Sequence, residues 1–321
     1  MDEIKDIKNV LFKDFAKEVY MNDVSPALKK NTIIHKQQII INHLIPYFGD
    51  MKMGDITAAD ILRWQNTKMA ETTEDGKPYA QSYLWTMNRE FNAVMNHAEN
   101  YYDLEPNPVK KTKKVGRDSG INTQAWTLEE YQEFSDQTID TQYYMPFQIL
   151  YWCGLRVGEL LALTPEDIDL NRREISITKS YIRIGGEDII STPKTQNSYR
   201  KVRMPAFLAE ELGVYLRAHR KIRSGERIFQ VSRLAMSRVI HKFAKAAGVP
   251  DIRVHDLRHS YVSLLINNGF SAYEIGQSVG HGGAYITYRY AHLFDESKRR
   301  MADKLDDLYN GRVDDDEKKD A

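Results

Sequence analysis

Apolar residues recur at three- and four-residue spacing over the first third of the chain, the period of a helix with one buried face. Phe12, Phe15, Val19 and Tyr20 form the first such stripe. Ser25-Pro26 breaks it, and Asn31-Thr32 can cap a second helix carrying Ile33, Ile34, Ile39, Ile40 and Ile41. That helix is expected to end near Pro46, with Gly49 in the following turn. Thr57 is placed to N-cap a third, with Ile61, Leu62 and Trp64 inside it. After a polar loop over 72–78, a fourth helix is predicted over 81–101, with Leu84, Met87, Phe91, Val94 and Met95 on one face. The pattern predicts a small all-helical bundle.

The period is lost at Pro106 and returns near Thr123. Over 106–117, two prolines, a glycine and the basic residues Lys110, Lys111, Lys113, Lys114 and Arg117, without an acid among them, predict an extended linker. Such a segment is either a plain solvated connector or a means of neutralising phosphates along a duplex. Thr127-Leu128-Glu129-Glu130 reads as a capping box. Helices are expected over 128–136, 141–152 and 157–163. The period then changes to two: 174–178, 181–184, 189–190 and 201–204 read as strands, with Gly185-Gly186 as a turn. Helices resume over 206–221, 233–247, 257–268, 272–279 and 296–308. The expected fold class is mainly α, a helical domain at 1–106 and a mixed α+β domain at 121–310 with a small antiparallel sheet. A basic linker at 107–120 joins them, and an acidic tail follows at 311–321.

Composition narrows this only in places. A chain of 321 residues, 42% hydrophobic and 28% charged, suits two soluble globular domains. No apolar run reaches the roughly 18 residues of a membrane span, and the charged start Met1-Asp2-Glu3-Ile4-Lys5 has no secretory h-region. One cysteine, Cys153, excludes an intramolecular disulfide and suits a reducing, cytoplasmic setting. Its place in a short apolar helix favours a buried small hydrophobe over a nucleophile. The 45 basic and 45 acidic residues cancel. Acids crowd the tail (Asp303, Asp306, Asp307, Asp314, Asp315, Asp316, Glu317), so a neutral total leaves room for a basic face elsewhere.

The candidate chemistry lies late in the chain. Of nine histidines, four fall between 255 and 292: His255, His259, His281 and His292. Arg258 and Arg289 lie among them, and no acidic cluster suited to a metal accompanies them. Imidazoles and guanidinium groups without carboxylates suit an anionic substrate, most simply a phosphate. Neither metal nor cofactor is implied.

Several motifs stand in a fixed order: Gly154-Leu155-Arg156-Val157-Gly158-Glu159-Leu160, Pro193-Lys194-Thr195, His255-Asp256-Leu257-Arg258-His259, Gly280-His281, and Tyr290 nine residues after His281. Together they resemble the tyrosine recombinase family, the phage and transposon integrases. The resemblance implies a helical SAM-like core-binding domain for DNA at about 10–106 and a catalytic domain at about 120–310. It makes Arg156 and Arg258 phosphate-clamping arginines, Lys194 the hairpin lysine, His255 and His281 the two histidines, Tyr290 the nucleophile and Glu159 a supporting acid. It leaves His259 and His292 without a catalytic role. By proximity alone, Tyr285 and Tyr288 are rivals of Tyr290, and Lys179 and Lys201, in the same sheet region, are rivals of Lys194. Arg156 and Glu159 would as readily make an ordinary helix-surface pair.

The implied reaction is site-specific cleavage and rejoining of DNA through a 3′-phosphotyrosyl intermediate, integrating or excising a phage or transposon. Alternatives are a Xer-type chromosome-dimer resolvase, a type IB topoisomerase, or a DNA-binding regulator without catalysis. The implied partners are double-stranded attachment sites, a second protomer on each core site, four in the synapse, and a directionality factor or host bending protein. The implied location is the cytoplasm of a prokaryotic host, at the nucleoid. Only about ten residues precede the first helix, so an arm-binding domain is expected to be missing or reduced.

Overall fold

A computed structural model describes residues 6–117, 124–192, 199–219, 221–280, 290, 302–303 and 305–309. The chain forms two compact units, 1–122 and 123–321. Among the described residues, no helix is long and apolar enough to cross a membrane.

In the first unit, Phe12–Asp14, a π-helical stretch Phe15–Tyr20 and Met21–Val24 run on as α1, residues 12–24. Lys30–Ile39, a second π stretch Ile40–Leu44 and Ile45–Phe48 make α2, residues 30–48. The helix ends at Phe48, two residues past Pro46, with Gly49 in the following turn, as the sequence predicted. A proline has no N–H for the carbonyl four residues back, and the wider π turn just before it redistributes those bonds. Helices α3 (Ala58–Ala70) and α4 (Gln81–Tyr102) complete the bundle. Thr57 caps α3 in a reciprocal box with Asp60.

The predicted stripes are buried: Phe12, Phe15, Trp64, Met87, Phe91, Val94 and Met95 are at most 1% exposed. Phe48 and Phe91 stack at 4.5 Å at their centre. Ile41 and Leu62 face outward instead, each at least 50% exposed. Each follows a buried residue by one position, and a step of about 100° carries it off the buried face.

The basic segment is not an extended connector in its first half. Asn107 caps a 3-10 turn, Pro108–Lys111. Beyond it, the Lys113 carbonyl accepts from Gln65 Nε2 at 2.9 Å, and the Arg117 N–H donates to the Gln81 carbonyl at 3.3 Å. The backbone is docked while Lys111, Lys113, Lys114 and Arg117 remain exposed.

The second unit begins with α5 (Leu128–Asp136), capped by Thr127 and Glu130 in the predicted box. Then come α6 (Tyr144–Cys153), α7 (Val157–Ala162), five short strands and α8 (Ala206–Ala218), α9 (Arg233–Ala247), α10 (Asp256–Asn267) and α11 (Ala272–Val279). The strands are β1 (Ile168–Asp169), β2 (Glu174–Ile177), β3 (Ser180–Ile184), β4 (Glu187–Ser191) and β5 (Arg200–Arg203). They form two antiparallel sheets, not one: β1-β2-β5, and a separate β3-β4 hairpin turning at Gly185-Gly186. Between β2 and β3, Lys179 pairs with Asp167 at 2.6 Å and donates to Thr164 Oγ1 at 3.0 Å. The hairpin is clasped by Arg227, whose guanidinium lies 3.9 Å over the Tyr181 ring. β4 leads towards Lys194, which lies outside the described residues.

Of the last expected helix, 296–308, residues 302–303 and 305–309 are described and helical. Leu305, Leu308 and Tyr309 are more than 60% exposed.

Candidate active site

The site is assembled where α6, α7, α10, α11 and β5 meet around a fully buried turn. α6 ends at Cys153, and Gly154 takes the left-handed conformation, φ 61°. A Cβ there would sit 2.3 Å from the Tyr261 ring, so only glycine fits both the backbone and the packing. That turn aims the Gly154 carbonyl at Arg258, whose Nη1 donates to it at 2.6 Å. Nη2 of Arg258 donates to the Val279 carbonyl. Two backbone carbonyls thus fix the guanidinium plane, and Arg258 is 3% exposed. Burial, then the charge of Arg156, pulls its pKa down to about 9, which leaves it protonated at neutral pH.

Arg156 is the N-cap of α7. Its N–H donates to Glu159 Oε2 at 2.9 Å, and its Nη1 donates to Oε1 at 2.8 Å. This is no surface pair, since Glu159 is 5% exposed. The same carboxylate accepts from Arg200 of β5, at 3.1 Å from Nη1 and 2.9 Å from Nη2. Arg200 Nε donates to the Ser278 carbonyl of α11 at 2.8 Å. Burial alone would raise the Glu159 pKa. The Arg200 hydrogen bonds and charge, with the charge of Arg156, outweigh it and bring the value down to about 2.

Glu159 is therefore the counter-ion that lets three arginines share one site. Glu159→Gln should destabilise the protein by about 3 kcal/mol at neutral pH, because Arg200 is left buried without its partner charge. The carboxyl titrates from 4.5 to about 2 on folding, so this stabilisation is complete above about pH 4.5 and fades as pH falls towards 2. Thermal melts of both proteins from neutral pH downward should show the gap closing over that window.

His255 stands at the N-terminus of α10, exposed on its outer side. Desolvation against the protein, then the charge of Arg258, lowers its pKa to about 4, so it is neutral at neutral pH. One turn on, His259 is 4% exposed, and its ring lies 5.1 Å from that of His255, edge to face. His259 Nδ1 is hydrogen-bonded to the Tyr290 hydroxyl. Tyr290 is 2% exposed and packs among Val262, Ile266, Ile275 and Val279.

The structure thus brings Arg156, Glu159, His255, Arg258 and Tyr290 into one site. Lys194 and His281 lie outside the described residues, as do His292 and the rival tyrosines Tyr285 and Tyr288. Two residues given no role by the sequence belong to the site. His259 bonds the residue that matches the nucleophile, and the signal was its place directly after Arg258. Arg200 carried no signal, because only the β2-β5 pairing brings it to Glu159. The rival lysines are engaged elsewhere: Lys179 with Asp167, and Lys201, 61% exposed, with Glu174. Cys153 is fully buried, and burial pushes its thiol up to about 12, which suits a packing role. Among the described residues no group of three His, Cys, Asp or Glu side chains is placed to hold a metal.

A family model described as "Phage integrase family" matches residues 125–297, and one described as "Phage integrase, N-terminal SAM-like domain" matches residues 11–69. The ICEBs1 integrase of Bacillus subtilis (strain 168) is 30% identical over 316 residues, covering 90% of this chain and 81% of that protein. The integrase of Mycobacterium phage L5 is 23% identical over 275 residues, covering 83% and 71%. Among solved structures, the Tn1549 transposon integrase in complex with transposon right end DNA superposes with a TM-score of 0.70 at 19% identity, covering 89% of this chain and 98% of that one. The lambda integrase tetramer bound to a Holliday junction gives 0.61 at 16%, covering 87% and 77%. At such identities the structural likeness is one of fold.

Proposed function

The chain belongs to the phage integrase family of DNA-cleaving and rejoining enzymes, and from that premise we propose how its own residues carry the reaction. A scissile phosphate of a double-stranded attachment site binds between Arg156 and Arg258. Tyr290 Oη attacks phosphorus, the O5′ leaves, and a 3′-phosphotyrosyl bond stores the energy of the broken ester. The phosphorane carries added negative charge on its nonbridging oxygens. Arginines already fixed by Glu159 and by backbone carbonyls stabilise that charge without reorganising. Lys194 protonates the departing O5′, and His281 donates a hydrogen bond to the phosphate. His255, neutral and beside the arginines, serves as base or proton shuttle. The engagement of Lys179 and Lys201 in other ion pairs supports the assignment to Lys194.

The observation that carries this reading is Arg258, fixed by two carbonyls, charged, and near enough to feel the charge of Arg156 and of Tyr290 once its phenol ionises. The relatives' names favour integration or excision of a phage or other mobile element over resolution of chromosome dimers. Two protomers on a core site and four in the synapse follow the lambda integrase assemblies. The exposed Leu305, Leu308 and Tyr309 offer an apolar face for a neighbouring protomer. Lys111, Lys113, Lys114 and Arg117 contact DNA phosphates, so binding weakens steeply with salt. A directionality factor or host bending protein then biases the direction, at the nucleoid of the host.

The test is an attachment-site duplex nicked beside the scissile phosphate, so that the short 5′ fragment diffuses away and traps the intermediate. A covalent protein–DNA adduct should accumulate undiminished in EDTA, because the guanidinium groups supply the charge. DNA bound but never joined, or joined only with a divalent metal, overturns the proposal.

A further inference from the structure

The attack by Tyr290 requires its phenolic proton to go somewhere, and the structure assigns that proton to His259. We propose that His259 is a catalytic residue of this enzyme, accepting the proton from Tyr290 Oη as the phosphotyrosyl bond forms and leaving His255 the part of proton shuttle. The proposal rests on the reading of Tyr290 as nucleophile given above.

Three observations carry it. First, the Tyr290 hydroxyl is hydrogen-bonded to an imidazole nitrogen, His259 Nδ1. An imidazole nitrogen that accepts a hydrogen bond can go on to take the proton, whereas a carbonyl cannot. Second, both residues are buried, His259 at 4% and Tyr290 at 2% exposure, so bulk solvent is poorly placed to take the proton directly. Third, His255 stands edge-on to the His259 ring at 5.1 Å, with its outer side exposed. The pair forms a step from the buried phenol towards solvent.

The step balances. The Oη–H bond of Tyr290 breaks as Oη–P forms, and the proton moves to His259 Nδ1. The P–O5′ bond breaks, and the O5′ takes its proton from the general acid. In rejoining, the 5′-hydroxyl gives its proton back to the general acid as it attacks phosphorus, the Oη–P bond breaks, and His259 returns the proton to Oη. No outside oxidant, reductant or metal enters. Several charged groups surround the pair. Asp256 and Arg258 lie on the same helix, and the Asp256 charge is felt at His259. Arg156 and Glu159 from α7 and Arg200 from β5 act on Arg258 beside it. The cations oppose a second positive charge on His259, and Asp256 and Glu159 offset them. The arriving phosphate adds further negative charge.

The test uses an attachment-site duplex whose bridging 5′ oxygen at the scissile phosphate is replaced by sulfur. A thiolate leaves without a general acid, so the rate of adduct formation reports activation of the nucleophile alone. Rates are measured from about pH 7 to about pH 10, the upper end being where a free phenol ionises by itself. His259→Ala and His259→Asn should slow adduct formation about 10²- to 10⁴-fold near neutrality. The deficit should shrink as the pH approaches the alkaline end, since hydroxide then removes the proton. Asparagine keeps a polar contact to Oη but cannot take a proton, so it should do no better than alanine. Gel-shift affinity and thermal melts establish that each variant is folded and binds DNA.

Wild-type-like rates in either folded variant, or a deficit that stays the same at every pH, overturn the role of His259. Full rescue by asparagine would likewise reduce His259 to a positioning residue. A wild-type protein that binds this duplex and forms no adduct overturns the reading of Tyr290 itself, and this role with it.

Discussion

Tyr290→Phe should bind attachment-site DNA with unchanged affinity and form no covalent adduct. The substitution removes one atom. The ring stays among Val262, Ile266, Ile275 and Val279, so the local core is kept. What is lost is a hydrogen bond to His259, worth about 1 kcal/mol to the fold, and the only oxygen of that side chain able to join phosphorus. Affinity is built from many phosphate contacts spread over the protein, and one phenol adds little to it. Denaturing gels of the trapped reaction check the adduct, and gel shifts check the binding. An undiminished adduct would falsify the assignment of the nucleophile.

Arg258→Lys is the second large effect. Lysine keeps the positive charge but offers one ammonium where arginine offers a planar fork. In this site the fork is already committed to the Gly154 and Val279 carbonyls, which fix its plane. A lysine cannot reach both and still face a nonbridging oxygen. Single-turnover cleavage should fall about 10²- to 10³-fold, the usual cost of one preorganised donor to a developing oxyanion. DNA affinity should change little, because the net charge is kept. Two buried carbonyls lose their donor, so the melting temperature should also fall, by the equivalent of about 1–3 kcal/mol. Cleavage at the wild-type rate would reduce Arg258 to a structural residue.

Helices and caps were the most legible part of this protein. The stripes Phe12, Phe15, Val19, Tyr20 and Leu84, Met87, Phe91, Val94, Met95 are buried as their period implies. The cap at Thr57 and the box at Thr127 form because their signal is local, a hydroxyl at the N-cap with a carboxylate three residues on. What escaped the sequence depends on partners far along the chain. The π stretch that precedes Pro46 has no sequence mark of its own. Alternation marked the strands but not their partners, so two sheets read as one. A hydrogen bond donated by Gln65 and one accepted by the Gln81 carbonyl fold down a segment that prolines and lysines made look extended.

The candidate site divides the same way. Arg156, His255, Arg258 and Tyr290 could be picked out because they recur in a recognisable order. Their supports could not. Arg200 reaches Glu159 only through the pairing of β5 with β2, and His259 reaches Tyr290 across 31 residues of sequence. Arg258 depends on a glycine whose left-handed turn shows only in three dimensions.

The central claim is that Tyr290 becomes covalently joined to a DNA 3′ end, and the most direct measurement is to find the bond. The trapped adduct is digested with nuclease and protease, and the peptide carrying the nucleotide is sequenced by mass spectrometry. The account predicts a phosphate-linked nucleotide on Tyr290 and on no other residue. Attachment at Tyr285 or Tyr288, or at any non-tyrosine residue, would contradict it.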